Sequence, residues 1–281
     1  MTTVDAIIFV TPTFLYLVNF SYSANPRKGV FMLTITSIKA DVGSTGGHTC
    51  PSDAMVDAAV DKLKYAVEVM GLIKDFRVTY TGDDLGLLMI HEHGEGYPEI
   101  HDYAWEVFEI ATGVAKDQGL YGAGQDLLAE ASSGNVRGAG PGCAEITFDE
   151  NAVERSVEPF LIFAADKCGP GVFNFPFWNV FTNPMYCAGL MLPNMLSGFT
   201  FTVIDMEHVG GDRIIKLDGK TQAVELAFLL RDENQYGILA IHSNTYPDQQ
   251  VVSISTDRLH SIAGVYKGKD DPTAIVRVQK F

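Results

Sequence analysis

The sequence predicts a mixed fold of α+β or α/β class, rich in sheet. Three observations predict it. Short runs such as Leu33 to Ala40 alternate apolar and polar residues, the period of a half-buried strand. Other stretches repeat apolar residues three and four apart, the period of a helix packed by one face. The 281 residues are 47% hydrophobic and include 27 glycines, a composition that fits a sizeable core and many turns. That length suits one large domain or two ordinary ones.

The apolar segment Ala6 to Tyr22 carries no charge and is interrupted by Pro12. It is short of the roughly 20 apolar residues of a membrane span, and Asp5 takes the place of the basic start of a signal peptide. It is expected to lie outside the fold, with Asn25-Pro26-Arg27-Lys28-Gly29 as a breaker before the first strand. The strand at Leu33–Ala40 places Leu33, Ile35 and Ser37 on one side and runs into a glycine-rich loop, residues 41–48. Ser52 caps a helix whose stripe is Val56, Val60, Leu63, Val67 and Met70, and Gly71 ends it. Phe76, Val78 and Tyr80 mark a second strand, and Leu85 to His91 a third. Pro98 opens a helix buried through Ile100, Ala104, Val107, Ala111 and Val114, and Gly119 closes it. Residues 120–126 lead to a short helix, and residues 133–142 form a second glycine-rich stretch. Further strands are expected at Phe160–Ala165, Phe199–Val203, Tyr236–His242, Val251–Thr256 and Thr273–Gln279, with a helix at Ala223–Leu230. No linker is evident after residue 31, and no solenoid repeat.

The chain has 20 basic and 35 acidic side chains and a formal charge of −15. That balance argues against nucleic acid or an anionic membrane as partner, since both need a basic patch. The four cysteines, Cys50, Cys143, Cys168 and Cys187, form no C-x-x-C pair, so thiolate zinc and thioredoxin-type chemistry have no support. A reducing, cytoplasmic setting is the default.

Aspartates recur at strand ends: Asp41, Asp83-Asp84, Asp166 and Asp270-Asp271. Such positions deliver side chains to one cleft, where several carboxylates repel unless a cation neutralises them. Hard oxygen donors favour Mg²⁺, Mn²⁺ or Ca²⁺, and His48 and Gln125 suit the same site. The alternative is that each Asp-Asp pair caps a turn. The glycine stretches are either plain loops or anion nests of backbone N–H groups. Gly122-Ala123-Gly124 follows a helix and lacks the third glycine of a dinucleotide fingerprint, and residues 134–142 lack the Lys-Ser/Thr of a P-loop. Tyr266-Lys267-Gly268-Lys269-Asp270-Asp271 is either a charged turn or a Schiff-base lysine, Lys269, with Tyr266 placed to move a proton.

Several blocks together carry a resemblance. They are Ile38-Lys39-Ala40-Asp41-Val42-Gly43 with Gly47-His48, Gly82-Asp83-Asp84-Leu85, and Gly119-Leu120-Tyr121-Gly122-Ala123-Gly124-Gln125-Asp126. Ser133-Gly134-Asn135-Val136-Arg137-Gly138, Ala165-Asp166-Lys167 and residues 263–272 complete the series. In this order, from about Met32 to Gln279, the chain resembles the bifunctional fructose-1,6-bisphosphate aldolase/phosphatases of archaea and deep-branching bacteria. The resemblance implies a four-layer α-β-β-α sandwich, a homo-octamer and a magnesium enzyme of gluconeogenesis. Such an enzyme joins dihydroxyacetone phosphate to glyceraldehyde 3-phosphate and then removes the 1-phosphate. By motif it assigns Lys269 as Schiff-base lysine, Tyr266 as aldol proton carrier and Asp41 as phosphatase base and metal ligand. Asp83, Asp84, Gln125, Asp166, Asp270 and Asp271 hold magnesium, and His48 touches metal and substrate. Tyr121, Gly134, Lys167 and Gln279 bind the sugar phosphate.

Two departures shape the expectation. Residues 1–31 have no counterpart in the family pattern, so the domain is expected to run from 32 to 281. Family members continue beyond Gln279, so the domain is expected to be incomplete at its C-terminus. Two other classes of function stand beside the enzyme: an inactive chain that binds Mg²⁺ or assembles with full-length subunits, and a simple acidic Ca²⁺/Mg²⁺-binding protein.

Overall fold

The computed structural model describes residues 2–10, 14–22, 32–127, 140–149, 159–208, 213–256 and 270–278, with side chains from residue 32 onward. Among the described residues, two sheets and four α-helices make up an α+β protein. The smaller sheet has the order β4 (Asp75–Thr81), β5 (Asp84–His91), β3 (Met32–Asp41), β6 (Gly142–Asp149), antiparallel throughout. The larger has the order β7 (Phe160–Ala164), β12 (Thr273–Arg277), β11 (Gln250–Ile254), β10 (Tyr236–Ser243), β8 (Phe199–Asp205), β9 (Arg213–Asp218), also antiparallel. A hairpin of β1 (Thr2–Val10) and β2 (Phe14–Tyr22) continues this sheet, with β1 parallel to β7 through Ala6–Val10 opposite Phe160–Ala164. The segment expected outside the fold is therefore paired into it.

Three apolar cores separate four layers. Helices α1 (Asp53–Tyr65) and α2 (Pro98–Asp117) cover one face of the smaller sheet, where Leu63, Ala104, Val107 and Phe108 meet Ile38, Leu85, Leu87 and Met89. The other face meets the larger sheet: Ile35, Ile90, Ile146 and Phe148 pack on Phe160, Ile162 and Ile275. Helices α3 (Asn174–Thr182) and α4 (Ala223–Leu230) close the outer side through Phe177, Phe181, Leu226 and Leu230. This is the α-β-β-α order. Each fully buried Leu, Ile or Phe contributes about 1.5–3 kcal/mol.

Local sequence explains the elements. Ser52 Oγ accepts from the Met55 amide 3.4 Å away and starts α1. The helix runs on as one π-type turn, Ala66–Met70, to Gly71, whose φ of +63° fits a left-handed cap. Its buried face is Met55, Ala59, Leu63 and Ala66; of the expected stripe Leu63 is buried, Val56 and Val67 pack against the core partly buried, and Met70 is exposed. β5 is buried at every position because it is covered on both sides. Besides β1 and β2, the elements α3, β9 and β6 were not anticipated. α3 (NFPFWNVFT) buries Asn174 and Asn179 beside Phe177 and Phe181 and exposes Phe175, so it carries no apolar period. β9 is a short, half-exposed edge strand. β6 does alternate, with Ala144, Ile146 and Phe148 inward, but it follows directly on the glycine stretch that reads as loop.

Candidate active site

The alternation of β3 sets the site. Ile38 and Ala40 face the helices, whereas Leu33 and Ile35 face the other sheet. The odd-numbered face continues through Lys39 to Asp41 at the strand's end. In the β3–β5 register Asp41 lies opposite Asp84, and Lys39 opposite Gly86. Asp83 sits just before β5 in the hairpin turn from β4 and is fully buried. Gly82, with φ +56°, makes that turn, and a Cβ there would lie 1.6 Å from Asp166 Oδ2. Only glycine lets the loop after β7 bring Asp166 this close. The same loop is clipped to the start of β12: Cys168 N donates to Asp271 Oδ1 at 2.8 Å and Asp271 N to the Cys168 carbonyl at 3.0 Å.

A second pair of loops closes the other side. Ser44 and Tyr121 exchange backbone hydrogen bonds at 2.9 and 3.1 Å, and Gly124 N donates to the Val42 carbonyl at 3.0 Å. Asp126, itself buried, accepts from the amides of Asp41 at 2.9 Å and Gly140 at 3.2 Å. It fixes the backbone of Asp41. Gln125 Oε1 lies 3.2 Å and Asp41 Oδ1 4.0 Å from the position a Cβ on Gly122 would take, so both groups flank Gly122. His48 stands edge-on to the exposed Tyr121 ring, with centroids 4.3 Å apart.

Three cationic or proton-donating groups meet the carboxylates. Lys39, buried, is ion-paired with Asp84 and donates to the Ala165 carbonyl at 2.9 Å. Lys167 is ion-paired with Asp83 and lies 2.9 Å from Asp166 Oδ1. His48 Nδ1 is 2.6 Å from Asp83 Oδ2. Burial alone raises the affinity of Asp83 for a proton, but the bonds from Lys167 and His48 outweigh it and hold the carboxyl below its usual range. Burial opposes the charge on Lys167 as well, yet Asp83 and Asp166 hold the ammonium above its ordinary value. Asp41 is pushed up to about 7, first by burial and then by the charges of Asp83, Asp84 and Asp126. The site thus holds more negative charge than its own cations neutralise. Among the described residues the three non-glycine positions with positive φ are His48, Lys167 and Asp271, all in this cleft. Strain of this kind concentrates at sites where side-chain placement is imposed by the surroundings.

Two sets of donors lie close enough to share a cation: Asp41, His48 and Asp83, and Asp83, Asp84 and Asp166, with ligand atoms within 4.8 Å of one another in each. Carboxylate oxygens with one imidazole suit a hard divalent ion. A third set, His101, Cys143 and Glu145, faces α2 away from this cleft. There the Glu145 oxygens already bond Thr36, His101 and the Gly96 amide, a buried polar network.

The structure gathers Asp41, His48, Asp83, Asp84, Tyr121, Gln125, Asp166, Lys167 and Asp271 around one cleft, with Asp270 next in sequence to Asp271. Gly134, Tyr266, Lys269 and Gln279 lie outside the described residues. Sequence reasoning missed the roles of Lys39 and Asp126. Lys39 shares a strand face with Asp41, two residues on, and a lysine within an otherwise apolar alternation was the available signal.

A two-sheet sandwich opening at strand ends onto a carboxylate-lined, cation-competent cleft defines a class of proteins able to bind divalent metals. The comparisons with known proteins narrow the class. Residues 32–281 match the family model FBPase_3, described as fructose-1,6-bisphosphatase, and the chain belongs to that family. A Thermus thermophilus protein named fructose-1,6-bisphosphate aldolase/phosphatase is 44% identical over 250 residues, covering 89% of this chain and 67% of the relative. A Methanocaldococcus jannaschii protein of the same name is 45% identical over 249 residues, covering 88% and 61%. One from Cenarchaeum symbiosum is 41% identical over 249 residues, covering 88% and 63%. The chain thus spans roughly three fifths to two thirds of the length of the curated relatives it matches. Among the described residues no helix is long and apolar enough to cross a membrane.

Proposed function

We propose that the chain carries the active site of a Mg²⁺-dependent fructose-1,6-bisphosphate aldolase/phosphatase, the activity named for its relatives. The observation that carries the reading is the convergence of Asp41, Asp83, Asp84 and Asp166 with His48 from separate chain segments. Asp41, His48, Asp83, Asp84, Gln125, Asp166, Asp270 and Asp271 are the residues that would hold the ions. Bound Mg²⁺ supplies neutralisation of phosphate charge and polarisation of the attacking and leaving oxygens.

In the phosphatase step a water oxygen bonds to phosphorus and the bond from phosphorus to the O1 oxygen of the sugar breaks. Asp41 is suited to accept the water proton at Oδ2, since Oδ1 accepts from the Gly43 amide at 3.3 Å, and the O1 oxygen would take up a proton as the sugar leaves. Lys167, Tyr121 and His48 line the mouth and bind phosphate oxygens. In the aldol step Lys269 Nζ adds to the ketone carbon of dihydroxyacetone phosphate with loss of water. Tyr266 Oη moves the proton as the new carbon–carbon bond forms to the aldehyde carbon of glyceraldehyde 3-phosphate, and water then returns the lysine. Gly134 and Gln279 complete the sugar-phosphate contacts. The exposed apolar side chains Phe175, Val224 and Phe228 on the outer helices support burial in a homo-octamer. Four free thiols support a cytoplasmic setting.

Borohydride reduction in the presence of dihydroxyacetone phosphate tests the aldol half. A covalent adduct on Lys269 is expected, and its absence from a folded, Mg²⁺-binding chain would contradict it.

A further inference from the structure

Two lysines neutralise this cleft, and they are fixed very differently. The Lys39 side chain is 4% exposed, paired with the equally buried Asp84 and bonded to the Ala165 carbonyl. Removing it would strand a buried charge. The Lys167 side chain is 55% exposed, and its ammonium reaches across to Asp83 and both oxygens of Asp166. Those two residues are the ones whose donor atoms converge with Asp84. An ammonium and a divalent cation cannot occupy the same carboxylate oxygens. Asp83 is buried, but the Lys167 ammonium is half-exposed, so water can take it up when a divalent cation of higher charge replaces it on the carboxylates.

We infer that Lys167 is an exchangeable counter-ion. Its ammonium fills the Asp83–Asp166 position until a divalent cation displaces it, and it then turns to the anionic group of an incoming ligand, while Lys39 stays on Asp84. This rests on the divalent-cation reading above. The device links the two ligands: a cation frees the ammonium for phosphate, so cation and phosphate favour each other's binding by the same factor. It also keeps Asp83 and Asp166 from repelling each other before the cation arrives. The left-handed backbone at Lys167, φ +60°, is what lets adjacent residues 166 and 167 turn their side chains to one point.

The test uses the whole chain with Mg²⁺ alone. Limited acetylation with acetic anhydride, read by mass spectrometry, should label Lys167 several-fold faster with Mg²⁺ than without, and Lys39 in neither state. Calorimetry should show Lys167→Met binding Mg²⁺ about three- to tenfold more tightly than the native chain, the scale of a partly exposed pair. Native chain that binds Mg²⁺ with unchanged Lys167 labelling overturns the inference and leaves the metal site standing. Weaker binding by Lys167→Met does the same. No Mg²⁺ binding by the native chain removes the metal reading itself, and the inference with it.

Discussion

Asp41 and Asp84 face each other across the antiparallel β3–β5 pair, and Lys39 neutralises Asp84. Asp41 is left with three like charges near it, and burial raises its pKa to about 7. The asymmetry supports different tasks for the two carboxylates in the proposed function: Asp84 as a ligand, Asp41 as the group that exchanges a proton.

Stability should therefore depend on pH in a specific sense. The folded chain holds the Asp41 proton up to about pH 7, whereas the unfolded chain releases it near 3.8. Between these values the folded state binds more protons, so metal-free stability falls as pH rises, by up to about 1.4 kcal/mol per pH unit for this one group. Thermal melts from pH 4.5 to 7.5 without divalent ions should show that decline, and Asp41→Asn should flatten it.

Lys39→Met removes the cation and leaves Asp84 buried without it. The expected cost is about 3–5 kcal/mol, read as a lowered denaturant midpoint. The double variant Lys39→Met/Asp84→Leu should recover most of that loss, because no buried charge is left unmatched.

Gly82→Ala sets a methyl group against the Asp166 carboxylate at a backbone angle that side chains rarely adopt. A stability loss of about 1–2 kcal/mol is expected from the backbone alone. Mg²⁺ affinity, read by calorimetry, should drop as well, because Asp166 must move. Gly71→Ala has a similar φ but open space, so it should cost only stability.

Much of this was legible in the sequence. The helix opened by Pro98 followed from period and cap, because it buries one face; the strand at Leu33–Ala40 was found by its alternation although both its faces are buried. The aspartates stood out because they end strands. What the sequence hid were relations between distant segments. That Asp41 lies opposite Asp84 is set by the β3–β5 register, and its carboxylate also comes within 4.8 Å of the Asp83 and His48 donors. That Asp166 joins them depends on Gly82 having no side chain. Lys39 was read as part of a motif, and its partner Asp84 lies on another strand. α3 gave no period because it buries two asparagines, Asn174 and Asn179, and exposes Phe175.

Asp83→Asn keeps the shape of a residue that touches both Lys167 and His48 but removes the charge shared by both donor sets. Mg²⁺ affinity should fall about tenfold or more at neutral pH, measured by calorimetry, with the far-ultraviolet dichroism unchanged.

The most direct measurement is release of inorganic phosphate from fructose 1,6-bisphosphate by the purified chain. The expected result is release that requires Mg²⁺ and drops about 10²-fold or more in Asp84→Ala. Release that persists in the presence of a chelator, or that Asp84→Ala leaves unchanged, would contradict the assignment of this cleft as the phosphatase centre.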